Sequence, residues 1–311
     1  MSKGYKWIAD EREGLDPYVD YEKIWKLSTC YYINDFMMNV LYATGLPHFI
    51  LPPHGAEAMY RANTGKAINQ PDKRESDTAK HFWRWFEYGP SDMITQKSVK
   101  QVNAIHAGIA KKYPGRYAYI EDFTYTMCWI GADAHRLRLR LGLSGYTEKQ
   151  KIAAHLYWQE MAKLFRAEED ALISDFPTSF DGMLEYMAEF EGRDWPYTEE
   201  GAKTCEALLA QFANRWFPKG TRFLGRQMIL SLLDESPHRV HRLPYPNVLI
   251  RKIVEFAFAA VVYSQEQILP DPRISTPERH RKTAAARTAA ARKGKADKSQ
   301  QPDPAERSRS L

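Results

Sequence analysis

The chain has 311 residues, 44% of them hydrophobic and 13% aromatic, enough to bury a substantial core as one large domain or two modest ones. Its formal charge of +5 is concentrated at one end, because residues 274–311 hold 10 Lys and Arg against 4 Asp and Glu. The preceding 273 residues sum to −1, which removes the electrostatic argument for nucleic-acid binding by the core.

Cys30, Cys128 and Cys205 lie far apart with no CxxC spacing. That excludes a thiolate zinc site or iron–sulfur cluster as the obvious reading and suits reduced, buried thiols in a cytoplasmic protein. The N-terminal stretch carries acids and no apolar segment, so it does not read as a secretory signal. The most apolar later run, Ile253 to Tyr263, is too short to span a bilayer and contains Glu255. A soluble protein without a membrane span is expected.

In chain order, Tyr21 to Ala43 reads as one long aromatic-rich helix, stopped at Gly45-Leu46-Pro47 because proline disfavours a helical predecessor. Gly55 to Arg61 reads as one or two turns, with a polar loop running to Lys73. A helix from about Glu75 ends at Tyr88 before Gly89-Pro90. Ser91 or Thr95 is placed to cap the next one, which Pro114-Gly115 ends. Glu121 and Asp122 at one end and Arg136, Arg138 and Arg140 at the other complement the dipole of a helix that stops at Gly142.

Thr147 and Gln150 form a capping box that opens a helix to about Glu169, with Ile152, Leu156, Met161 and Leu164 on its buried face. Pro177-Thr178-Ser179 precedes a helix through Phe190, and Thr198 begins one towards Trp216. Phe223 to Leu233 and Pro246 to Gln267 supply the last two, separated by a Pro- and Arg-rich loop from Glu235 to Pro246. Nothing alternates at strand period. The expected fold is all-α, a single globular domain of about ten helices over residues 1–273. Residues 274–311 have no aromatic and almost no large aliphatic side chain, so they are expected to form a disordered basic tail. Its Ala/Arg stretch has the composition to become helical on an anionic surface.

One helix carries the chemistry. In Ser98 to Tyr113, the residues Val99, Val102, His106, Ile109 and Tyr113 share one helical face, apolar except at His106. A buried imidazole needs a partner, since an unpaired buried polar group costs about 1–3 kcal/mol. On spacing alone that partner is a carbonyl, a carboxylate, a water or a metal ion. Arg74 and Thr78, four residues apart, also share a face, which Phe82 and Trp85 continue. They read either as an ordinary helix start or as a polar cluster inside a pocket. There is no Walker loop, no GxSxG, no HExxH and no ExxH pair of the ferritin type. His238 and His241 form an HxxH pair without an acidic or cysteine partner in register, while His135 and His155 read as solvent-facing or satisfied within the core.

The order of these features resembles the rubber-oxygenase catalytic domain, the family of latex-clearing proteins and MpaB-type oxygenases. His106-Ala107, in VKQVNAIHAGIA, is similar to the family's haem-binding helical segment, and Arg74 to Thr78 (RESDT) looks like its RxxxT element. Glu121-Asp122, the stretch LGLSGYTEKQKIAAHLYWQEMAKLF and the closing QILPDPR continue the order, so the resemblance covers about Tyr31 to Arg273. Ala110 stands where the family often has an arginine, Asp77 where rubber oxygenases have a lysine, and Glu57 is a loose counterpart of their distal glutamate.

The resemblance implies one haem b with His106 as the iron ligand; were His106 not the ligand, His81 or His135 would be the next candidate. It implies Arg74 and Lys111 as cofactor-binding residues, with Arg116 and Lys112 as further cations for the propionates. Thr78, Arg74, Glu57 and Asp77 are the implied catalytic residues. The implied reaction is oxidation of a hydrophobic small molecule with dioxygen, by cleavage of a carbon–carbon double bond or by hydroxylation. An isoprenoid chain or an aromatic natural product suits such a pocket. The alternative is an all-α haem- or ligand-binding protein that has kept the scaffold and lost turnover.

Overall fold

The computed structural model describes residues 4–299, which form fifteen α-helices. Among the described residues there is no strand, and the one pairing of extended backbone is a bridge between Arg166 and Leu172. The all-α expectation holds; the larger helix count comes from breaks and short helices that periodicity does not register.

Helices α1 (Trp7–Glu13), α2 (Tyr21–Thr29) and α3 (Asp35–Phe49) open the fold. The single long helix expected over Tyr21 to Ala43 is broken before Asn34, which caps α3 by accepting the Met37 N–H at 2.9 Å. Helix α3 then runs through Pro47. Leu46, Pro47 and His48 are buried, and two histidines bind carbonyls of this last turn: His48 Nδ1 meets Thr44 O at 2.8 Å and His241 Nε2 meets Pro47 O at 2.9 Å. Those tertiary contacts override the local preference for stopping ahead of proline.

Helices α4 (Pro53–Tyr60) and α5 (Lys66–Asn69) fill the region expected as a short turn and a polar loop. Helix α6 (Pro71–Tyr88) starts ahead of Glu75, with Pro71 in the first position, where its missing N–H costs nothing. Helix α7 (Met93–Lys112) carries His106 and is capped by Asp92, which accepts from the Ile94 N–H at 2.7 Å, not by Ser91 or Thr95. Helix α8 (Ile120–Arg140) has the expected acids in its first turn and Arg138 and Arg140 in its last. Helix α9 (Glu148–Ala162) opens with both halves of the Thr147–Gln150 capping box. Its buried side centres on Ala153, Ala154, Tyr157, Trp158 and Met161, while Ile152, Leu156 and Leu164 are only half-buried.

Helices α10 (Phe180–Gly192), α11 (Glu199–Trp216) and α12 (Arg222–Leu232) follow; Ser179 caps the first of them, and Thr198 caps the second where the sequence begins it. The stretch expected as a loop from Glu235 contains α13 (Glu235–His241), whose Pro237 falls in the first turn, where backbone N–H groups have no intrahelical partner. Helix α14 (Val248–Tyr263) leaves Leu249, Ile253 and Phe256 exposed. No helix among the described residues is long and apolar enough to cross a membrane.

The disorder expected from residue 274 is corrected at its start by α15 (Thr276–Ser299). The Thr276 N–H donates to Cys30 O at 2.8 Å, its hydroxyl to Ile33 O at 2.7 Å, and Arg281 pairs with the buried Glu87. These anchors hold the first turns, and the alanine-rich sequence beyond has high helix propensity. The rest of the expected tail, residues 300–311, lies outside the described residues.

Two cores meet along α3 and α8. One packs Trp25, Phe86, Trp129, Trp158, Met187 and Phe190 from α2, α6, α8, α9 and α10. The other packs Val40 of α3 against Leu209 and Phe212 of α11 and Ile229 and Leu230 of α12. All three cysteines are buried and unpaired, and burial pushes the Cys30 thiol up to about 12. Helix α8 is approached most closely at Gly131, where an added Cβ would lie 2.6 Å from Trp158 Cδ1 and 2.7 Å from Met183 Cε.

That approach gives a stability prediction. Gly131→Ala gains about 1 kcal/mol of helix propensity. Overpacking a full core costs about 1–3 kcal/mol, and the fully buried Trp158 cannot yield as the Met183 methyl can. With the rigid indole placing the cost at the upper end of that range, a net loss of about 2 kcal/mol is expected in a urea unfolding titration; an unchanged midpoint would show that the helices separate to admit the methyl group.

Candidate functional site

A cavity of about 320 Å³ lies between α3 and α4 on one side and α6, α7 and α8 on the other, within the usual range for ligand pockets. Its walls are largely apolar and include the aromatic side chains of Phe49, Phe82, Trp85, Phe123, Trp158 and Phe165. The face of α7 read from sequence lines it through Val102, His106 and Ile109. Only Val99 of that stripe is fully buried; Val102, His106 and Ile109 are half-buried because they border a cavity rather than a packed core.

His106 is held by rings. Tyr117 stacks on it at 4.3 Å and 17°, and Phe123 meets it edge-on at 6.0 Å. Its Nδ1 is buried and has no hydrogen-bond partner among the described residues. Burial first, and then the positive charge of Arg74, push its pKa down to about 3, so the imidazole is neutral at physiological pH and keeps a free lone pair.

Arg74, Asp77 and Thr78 line the same cavity as His106 although they lie on a different helix. The Thr78 hydroxyl donates to Arg74 O at 2.9 Å and accepts from the Arg74 guanidinium. Its proton is therefore engaged, and the side chain fixes Arg74. Asp77 is surrounded by Lys66, Lys73 and Lys80 at 3.5–3.8 Å. Glu57 is not among the lining residues; it pairs with Arg116, which is. Lys111 is exposed near the end of α7 and is not among the lining residues, nor is its neighbour Lys112. Of the other histidines, His81 borders the cavity and bonds Ser98 Oγ at 2.7 Å, while His135 accepts from the Tyr146 N–H at 2.8 Å. His155 Nε2 meets Pro177 O at 2.7 Å and His238 Nε2 meets Leu230 O at 3.0 Å, while His241, bonded to Pro47 O through Nε2, keeps a buried Nδ1 without a partner among the described residues but does not line the cavity.

Two cavity features have no local sequence signal. Asp122, read from sequence as a dipole-complementing acid and as part of the feature order but given no site role, lines the cavity and meets His54 Nε2 through Oδ2 at 2.6 Å. His54 is itself stacked on Tyr119 at 3.8 Å. Asp122 Oδ1 is buried without a partner, and burial raises the pKa of the carboxyl although the His54 hydrogen bond opposes it. The second is Arg61, which caps α4 in the left-handed region at φ +49° and is followed there by Ala62 and Asn63 at +49° and +66°. Such backbone costs about 1–2 kcal/mol per residue, less for asparagine. The charges of Arg74 and Arg61 both reach the Tyr117 hydroxyl, where they oppose the upward pull of burial on its pKa.

A separate polar cluster lies where α3, α8 and α10 meet the start of α13. Ligand atoms of His48, Glu191 and Asp234 fall within 4.8 Å of one another, a spacing that a metal ion could bridge. The carboxylate oxygens are already engaged. Arg136 bonds both oxygens of Glu191 at 2.8–2.9 Å and Asp234 Oδ2 at 3.0 Å, Arg140 takes Asp234 Oδ1 at 2.6 Å, and Tyr125 donates to Glu191 at 2.8 Å. The cluster is an ion-pair network built around arginine.

No protein-family model matches the chain, and no curated protein matches it.

The ion-pair network makes stability depend on pH. His48 Nδ1 bonds Thr44 O at 2.8 Å and its Nε2 faces Asp234 at 3.6 Å, an ion-pair distance rather than a hydrogen bond. Burial opposes its charged form, but Asp234, Glu191 and Asp133 together outweigh burial and raise its pKa. A histidine raised on folding contributes stability below its unfolded pKa of about 6.5, and that contribution is lost as pH rises through the folded value. Between pH 7 and 8, above the unfolded range of histidines lowered by folding and below that of thiols, the Tm should fall. His48→Asn should flatten this slope; a slope that persists in the variant would exclude His48 as its source.

Proposed function

We propose that the cavity binds haem b through His106 and that the chain is a haem-dependent oxygenase acting on a hydrophobic small molecule. The observation that carries this reading is the buried, unpartnered Nδ1 of a neutral imidazole on the wall of an aromatic cavity. Buried polar atoms are normally satisfied; His241 also leaves its Nδ1 unpartnered, and what sets His106 apart is that it borders the cavity. The residues present fit the group: one neutral nitrogen donor on a long helix, apolar walls for the macrocycle, and arginines at the rim for its carboxylates. The resemblance of His106-Ala107 and of Arg74 to Thr78 to the rubber-oxygenase family supports the same reading.

When bound, haem b supplies the redox chemistry that turns dioxygen into an oxidant. The protein supplies placement and polarity. The lone pair of His106 would hold the group on α7, and Tyr117 and Phe123 fix the plane of the imidazole. Thr78 orients the Arg74 guanidinium, and the aromatic walls keep water from the reacting atoms. Asp122 Oδ1, on a carboxyl whose pKa is raised, is the atom suited to hold and return a proton, with His54 Nε2 as its partner.

The engagement of Asp77 by three lysines and of Glu57 by Arg116 favours a second reading, a haem- or ligand-binding protein without turnover. Both acids expected beside bound dioxygen are neutralised in ion pairs.

A visible spectrum of the full chain reconstituted with hemin tests the haem reading. A Soret band that shifts on addition of dithionite is expected. It should be lost in His106→Ala and kept in His81→Ala. A protein that takes up no hemin, or an H106A variant with an unchanged spectrum, would overturn the assignment. Oxygen uptake by the holoprotein with isoprenoid or aromatic probes then separates oxygenase from carrier: consumption above the rate without probe is expected of the enzyme, and its absence favours the carrier.

A further inference from the structure

The turn after α4 breaks a local rule. Helices commonly end on one left-handed residue, and glycine is its usual occupant. Here three consecutive residues, Arg61, Ala62 and Asn63, take that conformation and none is glycine. The run is over-determined by its surroundings. Arg61 O accepts from the Thr64 N–H at 3.0 Å and from the Thr64 hydroxyl at 2.7 Å, and Asn69 donates to Asn63 O at 2.7 Å. Gly65 closes it so tightly that a Cβ there would lie 2.0 Å from Met59 O. Glycine at position 61 would relieve the backbone but would remove a guanidinium from the cavity wall. Strain kept in place by so many contacts points to a use for the side chain it positions.

That side chain is short of a counter-charge. Arg61 and Arg74 both line the cavity, and neither has a carboxylate at ion-pair distance among the described residues. Arg61 Nε is buried with no hydrogen-bond partner, and Arg74 reaches only Thr78 and, at 4.0 Å, the Met59 sulfur. The other cations of the wall are engaged, Arg116 by Glu57 and Lys66 by Asp77. A partly buried guanidinium without an anion is unfavourable, and its planar fork matches a carboxylate.

We infer that Arg61 and Arg74 form a two-arginine clamp for the carboxylate of the molecule bound in this cavity. The carboxylate has two sources, the propionates of haem or the acid group of an apolar substrate, and the first rests on the haem reading above. In either case the strained turn at Arg61 exists to place a charge that α6 alone does not supply.

The test compares each acid with its ester on the full chain. Hemin and hemin dimethyl ester form one pair, followed by the Soret band; cis-parinaric acid and its methyl ester form the other, followed by fluorescence. The wild type should bind hemin at least about tenfold more tightly than the diester, the effect of one charge-assisted hydrogen bond. That preference should collapse in Arg61→Gln and in Arg74→Gln. Arg61→Gly is a second variant whose Tm should rise as the turn relaxes while the same preference is lost. If neither porphyrin binds and the fatty acid shows the arginine-dependent preference instead, the clamp holds an acidic substrate and the haem reading fails. Equal affinity for both porphyrins with a normal Soret band overturns the clamp and leaves the haem reading standing. A preference that survives in R61Q, or no binding by any of the four probes, overturns the clamp as well.

Discussion

Arg136 gathers three acidic side chains from three parts of the chain: Asp133 one turn back on α8, Glu191 at the end of α10 and Asp234 just before α13. Carboxylates held this deep are costly unless each is paired. Burial pushes Asp133 up to about 6 even with the guanidinium beside it, whereas His48 and the arginines together hold Asp234 well below the usual carboxylate range. The same helix that carries this junction carries the cavity wall at its other end, through Asp122, Phe123, Met127 and Ile130. Because a helix is a stiff rod, anchoring its last turns to α10 and α13 sets where its first turns stand against His106.

What could be read beforehand follows from the range of each interaction. The capping box at Thr147 and the helix start at Thr198 act within four residues, and so does the dipole pairing along α8; these features stand in the structure as the sequence presents them. The periodic stripe on α7 and the shared face of Arg74 and Thr78 are local too, and both border one cavity. The contacts missed are those across long separations. His54 meets Asp122 over 68 positions, His241 meets Pro47 over 194, and Arg281 meets Glu87 over the same span. No periodicity encodes which helices become neighbours. That is why α3 passes through its proline, α15 begins docked, and Arg61 reads from sequence as nothing more than the end of a short helix.

The charge pattern of the cavity has one logic. The guanidinium of Arg74 helps to keep His106 unprotonated, because two cations close together in a low-dielectric space repel. The same positive field favours a negative guest. Arg74 thus adds to the effect of burial on the imidazole and contributes positive charge to the cavity wall, and its position is fixed by the hydroxyl of Thr78 one turn along the helix.

The walls of the cavity have a further property. Trp85 and Trp158 border it directly, and Trp129 lies within the same core. Any guest that absorbs in the near ultraviolet, as an extended polyene or a porphyrin does, would sit within energy-transfer distance of these indoles and quench their emission. The molecule therefore carries its own optical gauge of occupancy, built from side chains of the cavity wall. Filling of the cavity can be followed without a label and without altering a residue of the site.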